Sequence, residues 1–383
     1  MHKIIFNRQL VYGINSLEST GEIAHKYGKK ALIVTGRSST KKSGSLQKLQ
    51  ELLKKNNIEY IVFDKAIPNP TVEIIDECSK IGKDARCDFL IGIGGGSALD
   101  TAKATSGMIT NQGSVGEYLE VGNNYKKIVN NPIPMIAIPT TAGTGSEATK
   151  NAVINDPKRK IKRSIRSEKL VPEVAILDPS LISTAPKNVI APSAMDALTQ
   201  LIEPFTGKKA QPIIDIIALD GIKKIGTNLL KFINNPSNLD AALELLIASY
   251  FSGIALANAG LGTVHALSRP FGGMFNLPHG LVCAILLPYI TEYNWKYNVN
   301  KYAQIAIALD ENQEGPKEKL AEKVPEIIFK LNNALEIPPD FKKFNLPKED
   351  IDKIIEDAQG GSMKNNPKDF TKNELKSLLL RIF

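Results

Sequence analysis

The stretch that most constrains the fold is Leu90-Ile-Gly-Ile-Gly-Gly-Gly-Ser-Ala-Leu-Asp-Thr-Ala-Lys103, an apolar strand running through three glycines into a helix. Gly94, Gly95 and Gly96 lack a Cβ, so the backbone can turn sharply there and approach a ligand closely. Ser97 falls where a helix start leaves unpaired N–H groups facing an anion. Asp100 and Lys103 follow on the first turns. The pattern is neither of the two standard phosphate-loop fingerprints, and a glycine-rich turn also serves plain tight packing.

The surrounding residues repeat the same alternation. Lys30–Thr35, Glu59–Phe63, Asp88–Ile93, residues 132–138 and Val174–Leu177 read as strands, and helical spacing covers Leu46–Lys55 and residues 71–85. Such alternation implies a doubly wound, Rossmann-like α/β domain with a parallel sheet. Ligands of such sheets sit outside the carboxyl ends of the strands, where Gly36-Arg37-Ser38-Ser39, Gly94 to Ser97 and Pro139 to Glu147 fall. After Pro186 the pattern becomes helical, over residues 193–206, 211–233, 239–259 and beyond Gly280. The expected organisation is therefore an α/β domain over 1–186 and an all-α domain over 187–383, which suits a chain of 383 residues.

Composition narrows the class. With 43% hydrophobic and 23% charged residues the chain reads as a folded globular protein. No apolar run approaches the roughly 20 residues that cross a bilayer, and strand-like Ile4-Ile5-Phe6 stands where a signal segment would be, so a cytoplasmic protein without a membrane partner is expected. Cys78, Cys87 and Cys283 are odd in number, lack metal-ligand spacing and read as buried apolar residues. The net charge of +8 is concentrated at Lys150, Lys158, Arg159, Lys160, Lys162, Arg163, Arg166 and Lys169. With no aromatics among them, they read as a solvated loop beside an anionic small-molecule site, and no nucleic-acid partner is expected.

His265 and His279 lie beside glycines in the helical half, and with Asp196 they would make a two-imidazole, one-carboxylate set suited to Fe2+ or Zn2+. From spacing alone, a histidine on an apolar helix is more often a satisfied core residue.

Taken together, Gly94 to Lys103, Pro139-Thr140-Thr141-Ala142-Gly143-Thr144-Gly145-Ser146-Glu147, Asp196-Ala197-Leu198-Thr199, and His265 with Pro278-His279-Gly280 resemble the iron-containing (group III) alcohol dehydrogenase family over residues 1 to about 290. The resemblance implies NAD(P)-dependent interconversion of a small alcohol with an aldehyde or ketone across a cleft between two domains. A homodimer is implied as well. By position, Gly95, Gly96 and Ser97 would cradle the pyrophosphate, with Asp100 beside them. Thr140, Thr141 and Thr144 would flank the nicotinamide, Asn151 and Lys162 would meet the ribose near it, and Asn69 would stand near the adenosine. Asp196, His265 and His279 fall on metal-ligand positions.

Two positions depart from the family pattern. Gln200 stands where many members have a third histidine ligand; it shares a helix face with Asp196 but offers a neutral, weaker donor. Arg269 replaces a proposed proton-relay histidine, a role arginine cannot fill, leaving substrate attraction or a structural ion pair. The end of the first strand, with Gly36, Arg37 and Ser39 followed by Lys41 and Lys42, lacks the carboxylate that repels a 2′-phosphate, so NADP(H) is expected over NAD(H). A metal-independent reductase like the maleylacetate reductases, a lyase resembling dehydroquinate synthase, and a cofactor-binding protein without catalysis are the alternatives.

Overall fold

The apolar runs of the first half become strands β1 (Gln9–Tyr12), β2 (Lys30–Gly36), β3 (Glu59–Ala66), β4 (Phe89–Gly94), β5 (Met135–Pro139) and β8 (Val174–Leu177), with β6 (Asn151–Asp156) and β7 (Ile161–Arg166) between the last two. The computed structural model describes residues 3–383. Lys3 apart, these divide into one unit of Ile4–Ala185 and another of Pro186–Phe383.

In the first unit six strands form a parallel sheet in the order β1-β8-β5-β4-β2-β3. Helices α1 (Thr20–His25), α2 (Ser39–Lys42), α3 (Ser45–Lys55), α4 (Val72–Asp84) and α5 (Gly96–Thr110) lie between strands in the chain. Strand alternation sorts the core into two layers. Ala31, Ile33, Ile91 and Ile93 cluster with Ile23 of α1 and Leu46, Leu49 and Leu53 of α3. Leu32, Val34 and Leu90 cluster instead with Cys78 of α4 and Leu99 and Ala102 of α5. A sheet covered by helices on both faces explains why its strands are near-continuous apolar runs.

Two local expectations need correcting. Ile4-Ile5-Phe6 carries no regular structure; the first strand is Gln9–Tyr12, which pairs with β8. The basic stretch is no solvated loop but the antiparallel hairpin β6–β7, in register from Asn151↔Arg166 to Asp156↔Ile161. Its alternate residues Ala152, Ile154 and Ile165 are buried against Ile75 of α4 and Ala104 and Met108 of α5. That buried face stabilises the ladder, and Lys162 and Arg166 stand on its other face.

The second unit consists of helices α6 (Lys187–Thr206), α7 (Pro212–Asn234), α8 (Leu239–Ala259), α9 (Thr263–Phe275), α10 (His279–Asn294), α11 (Val299–Leu309), α12 (Lys317–Ala334), α13 (Ile351–Asp357), α14 (Gly361–Asn365) and α15 (Lys372–Ile382), with short 3-10 turns between some of them. Contrary to the expectation that no apolar run reaches membrane-spanning length, α8 is long and apolar enough to cross a bilayer by length and composition, and 61% of its most apolar window is buried within the fold. It packs against α6 and α7.

Candidate cofactor and metal sites

Each unit holds its own constellation. In the α/β unit, β4 ends at Gly94 with φ +149°, a conformation L side chains rarely adopt. The first turn of α5 begins at Gly96 and has no side-chain cap. A Cβ at Gly96 would stand 2.6 Å from Thr144 Cγ2 and 2.7 Å from its Oγ1, so only glycine lets the two loops meet. Thr140 donates its N–H to the Gly94 carbonyl at 3.0 Å. Thr141 Oγ1 lies 3.4 Å from where a Gly95 Cβ would be. Gly95, Gly96, Ser97, Thr140, Thr141 and Thr144 are thus gathered at the carboxyl ends of the adjacent strands β4 and β5, beside uncapped N–H groups that suit a phosphate. Gly36, Arg37 and Ser39 stand at the same end of β2, the neighbour of β4 on its other side.

Asp100 is engaged by the fold itself. Its Oδ1 accepts from Ser146 Oγ at 2.5 Å and its Oδ2 from the Val153 N–H at 2.9 Å, so both oxygens tie α5 to the loop and hairpin. Lys103, fully buried, adds donors to Ser146 Oγ (2.9 Å), Thr149 Oγ1 (2.7 Å) and the Asn151 carbonyl (2.8 Å). Asn69 and Lys162, expected at opposite halves of a dinucleotide, meet directly: Lys162 Nζ donates to Asn69 Oδ1 at 2.7 Å. They therefore attend the same part of any ligand. Asn151 Oδ1 is a buried acceptor with no hydrogen-bond partner among the described residues. An orphaned acceptor beside a cradle that a Cβ would fill fits a dinucleotide bound here.

In the helical unit, α6 presents Asp196, Gln200 and Glu203 along one face. A Cβ at Gly280 would lie 2.3 Å from the Pro192 carbonyl, so glycine after His279 lets the start of α10 abut α6 and brings His279 to Asp196. Glu203 accepts from the N–H groups of Gly262 (2.8 Å) and Val264 (2.7 Å), capping α9 from a neighbouring helix. Its Oε2 also stands 2.7 Å from His265 Nδ1, which fixes the ring so that Nε2 points 3.2 Å from Asp196 Oδ1. His279 Nε2 is 3.6 Å from the same oxygen, and Cys283 Sγ is 3.7 Å from His279 Nε2. The ligand atoms of Asp196, His265, His279 and Cys283 all lie within 4.8 Å of one another.

Charge within the cluster is balanced. Burial opposes protonation of His265, yet Cys283, Glu203 and Asp196 hold its pKa well above the usual imidazole value. Burial likewise works against Asp196, and His279, His265 and a hydrogen bond from Gln200 bring its pKa below the usual carboxylate value. A divalent cation supplies the same compensation, and a histidine whose other nitrogen is held by a carboxylate is the usual outer support of a metal ligand. The donor set therefore fits Fe2+ or Zn2+.

Gln200 is engaged elsewhere: it hydrogen-bonds Asp196, and its Oε1 lies 3.4 Å from Ser252 Oγ. Arg269, one turn after His265, donates to the Asp357 carbonyl at 2.7 Å. Cys283 and Glu203 escaped the sequence reading. The signals were there, His279 and Cys283 at i,i+4 and Asp196 and Glu203 at i,i+7, both spacings that share a helix face.

A family model described as iron-containing alcohol dehydrogenase matches residues 7–179, and one described as the C-terminal part of the same family matches residues 190–383. The match thus runs through the last ninety residues, which the sequence motifs alone had not reached. "Alcohol dehydrogenase 4" of Saccharomyces cerevisiae is 34% identical over 378 residues, 97% of this chain and 96% of that one. "NAD-dependent methanol dehydrogenase" of Bacillus methanolicus is 32% identical over 372 residues, 96% of each. A crystal structure of 1,3-propanediol oxidoreductase superposes with a TM-score of 0.95 at 32% identity, covering 100% of both chains.

Proposed function

Since the chain belongs to the iron-containing alcohol dehydrogenase family, and is thereby an NAD(P)-dependent alcohol dehydrogenase, we propose that it prefers NADP(H), acts on a small alcohol–aldehyde pair, and holds Fe2+ or Zn2+ on Asp196, His265 and His279. When bound, the nicotinamide supplies the hydride and the cation polarises the substrate oxygen. The protein's own part is positioning. Gly95, Gly96 and Ser97 receive the pyrophosphate, and Thr140, Thr141 and Thr144 flank the nicotinamide. Asn151 turns its free Oδ1 to a ribose hydroxyl, and Lys162 with Asn69 contacts the cofactor as one hydrogen-bonded pair. Glu203 keeps the His265 ring oriented with Nε2 toward the cation. A cytoplasmic homodimer belongs to the same proposal; the three cysteines, all free and buried, are in keeping with a reducing compartment, and light scattering reads the assembly.

The observation that carries the cofactor preference is the charge at the end of β2. Arg37, Ser39 and Lys42 are exposed there, and neither Arg37 nor Lys42 has an ion-pair partner among the described residues. The nearby carboxylate of Asp64, on β3, is neutralised by Lys41, which holds its pKa below the usual range. A 2′-phosphate dianion meets cations and a hydroxyl rather than a free carboxylate. The test is kcat/KM with NADPH against NADH. A Cβ at Gly36 would find Ala66 O at 3.8 Å and Ser39 Oγ at 3.9 Å, ordinary contacts, so Gly36→Asp adds charge without a clash. The wild type should favour NADPH and the variant should move toward NADH. Equal or better use of NADH by the wild type overturns the preference.

A further inference from the structure

Cys283 is the member of the buried cluster that a two-imidazole, one-carboxylate set leaves out. It lies on α10 four residues after His279, so the two side chains leave the helix on one face. Its side chain is fully buried, and Sγ stands 3.7 Å from His279 Nε2. We propose that the Cys283 thiolate is a fourth protein ligand of the cation, taking the place for which Gln200 offers only a neutral amide. The proposal rests on the reading of Asp196, His265 and His279 as a cation site.

The distances carry it. An ion about 2.0–2.1 Å from nitrogen and oxygen and about 2.3 Å from sulfur, with its ligands at tetrahedral angles, keeps nitrogen and oxygen about 3.3 Å apart and nitrogen and sulfur about 3.6 Å apart. The observed edges are 3.2 Å (His265 Nε2 to Asp196 Oδ1), 3.6 Å (His279 Nε2 to the same oxygen) and 3.7 Å (Cys283 Sγ to His279 Nε2). These are three of the six edges such a tetrahedron has, and the other three stay within 4.8 Å, so side-chain rotations can close it. Gln200 is meanwhile held by Asp196 and Ser252. The other two thiols, Cys78 and Cys87, belong to the α/β unit.

Coordination releases the thiol proton to solvent and changes no oxidation state. A thiolate also makes the donor set softer, so the site should select Zn2+ over Mg2+ or Mn2+ more strongly than an all-nitrogen-and-oxygen set would. With four protein ligands a substrate oxygen would enter as a fifth, an expansion open to catalytic zinc, and the His279 side chain, 38% exposed, leaves the cluster reachable from outside.

The experiment is X-ray absorption at the zinc edge on the full-length protein, stripped with a chelator and reloaded with Zn2+. One sulfur neighbour at about 2.3 Å is expected beside nitrogen and oxygen at about 2.0–2.1 Å, and it should vanish in Cys283→Ser. That variant should also lose more zinc affinity than the roughly 10–100-fold that removal of an outer support costs. With Co2+ in place of zinc, the wild type should show a thiolate-to-cobalt charge-transfer band that the variant lacks. A zinc-loaded wild type with only nitrogen and oxygen neighbours refutes the thiolate ligand and leaves the cation site standing. A wild type that takes up no zinc or cobalt refutes both. Should Cys283→Ser fail to fold, the presence or absence of sulfur in the wild type decides alone.

Discussion

Replacing Glu147 by glutamine should stabilise the α/β unit at alkaline pH and leave it unchanged in acid. Glu147 is 1% exposed, in the turn just after Thr144, and its Oε1 has no hydrogen-bond partner among the described residues. Burial pushes its carboxyl from the usual 4.5 up to about 7, against the opposing pull of a backbone hydrogen bond and of Lys103. The sign follows from proton binding. Below pH 4.5 the group is protonated whether the chain is folded or not, and the folded state bears no charge penalty. Between 4.5 and about 7 the unfolded chain releases the proton while the folded one retains it, so stability falls as pH rises; above about 7 the loss is complete. At about 1.4 kcal/mol per pH unit this interval amounts to roughly 3 kcal/mol. Glutamine has no charge to bury, and the pull of Lys103 on the wild-type carboxylate is already contained in the value of about 7. Thermal unfolding of both proteins from about pH 5 to about pH 8.5 should show the variant gaining with pH, to a melting-temperature advantage of roughly 6–12 °C for a unit of this size. A difference that does not vary with pH would refute the buried, protonated carboxyl.

Two further outcomes are expected. Gly96→Ala places a methyl 2.6 Å from Thr144 Cγ2 and 3.0 Å from its Cβ, forcing the two loops apart at a cost of about 1–3 kcal/mol; NADPH affinity, read by fluorescence titration, should fall by about tenfold or more, and an unchanged Kd would show that the cradle does not hold the cofactor. Glu203→Gln removes the buried charge that holds His265 Nδ1 and caps α9. Calorimetric zinc titration should show affinity down by about 10–100-fold, with the helical unit less stable by about 1.5–3 kcal/mol for each charged hydrogen bond lost; zinc binding that is indifferent to the change would sink the orienting role.

What the sequence shows plainly is whatever repeats with a period. The runs at 30–35 and 88–93 are apolar because helices cover both faces of the sheet, so strand and layer are readable together. The hairpin was hidden because its charged positions outnumber the buried Ala152, Ile154 and Ile165, and only the packing of those three against α4 and α5 makes a ladder of it. At the candidate sites the residue types in the motifs were legible, whereas their partners were not. Glu203 lies 62 residues before His265 and Asn69 lies 93 residues before Lys162, so nothing local announces either pair. Asp100 follows the glycine turn, and its ties to Ser146 and to the Val153 N–H, 46 and 53 residues on, are likewise unannounced.

The position of β8 between β1 and β5 sets the order in which the sheet can be completed. Asn7 reaches the Pro172 carbonyl across 165 residues, and every partner of β1 lies on β8. At a synthesis rate of about 5–20 residues per second the first strand waits on the order of 10–30 s for its neighbour to be made. From its own synthesis until β8 is made 35 residues later, roughly 2–7 s at the same rate, the apolar Met135–Pro139 strand has one edge open, a template for pairing with another chain. The earliest segment to leave the ribosome is thus the last to dock, and a chain cut short before Val174 keeps the hazard permanently.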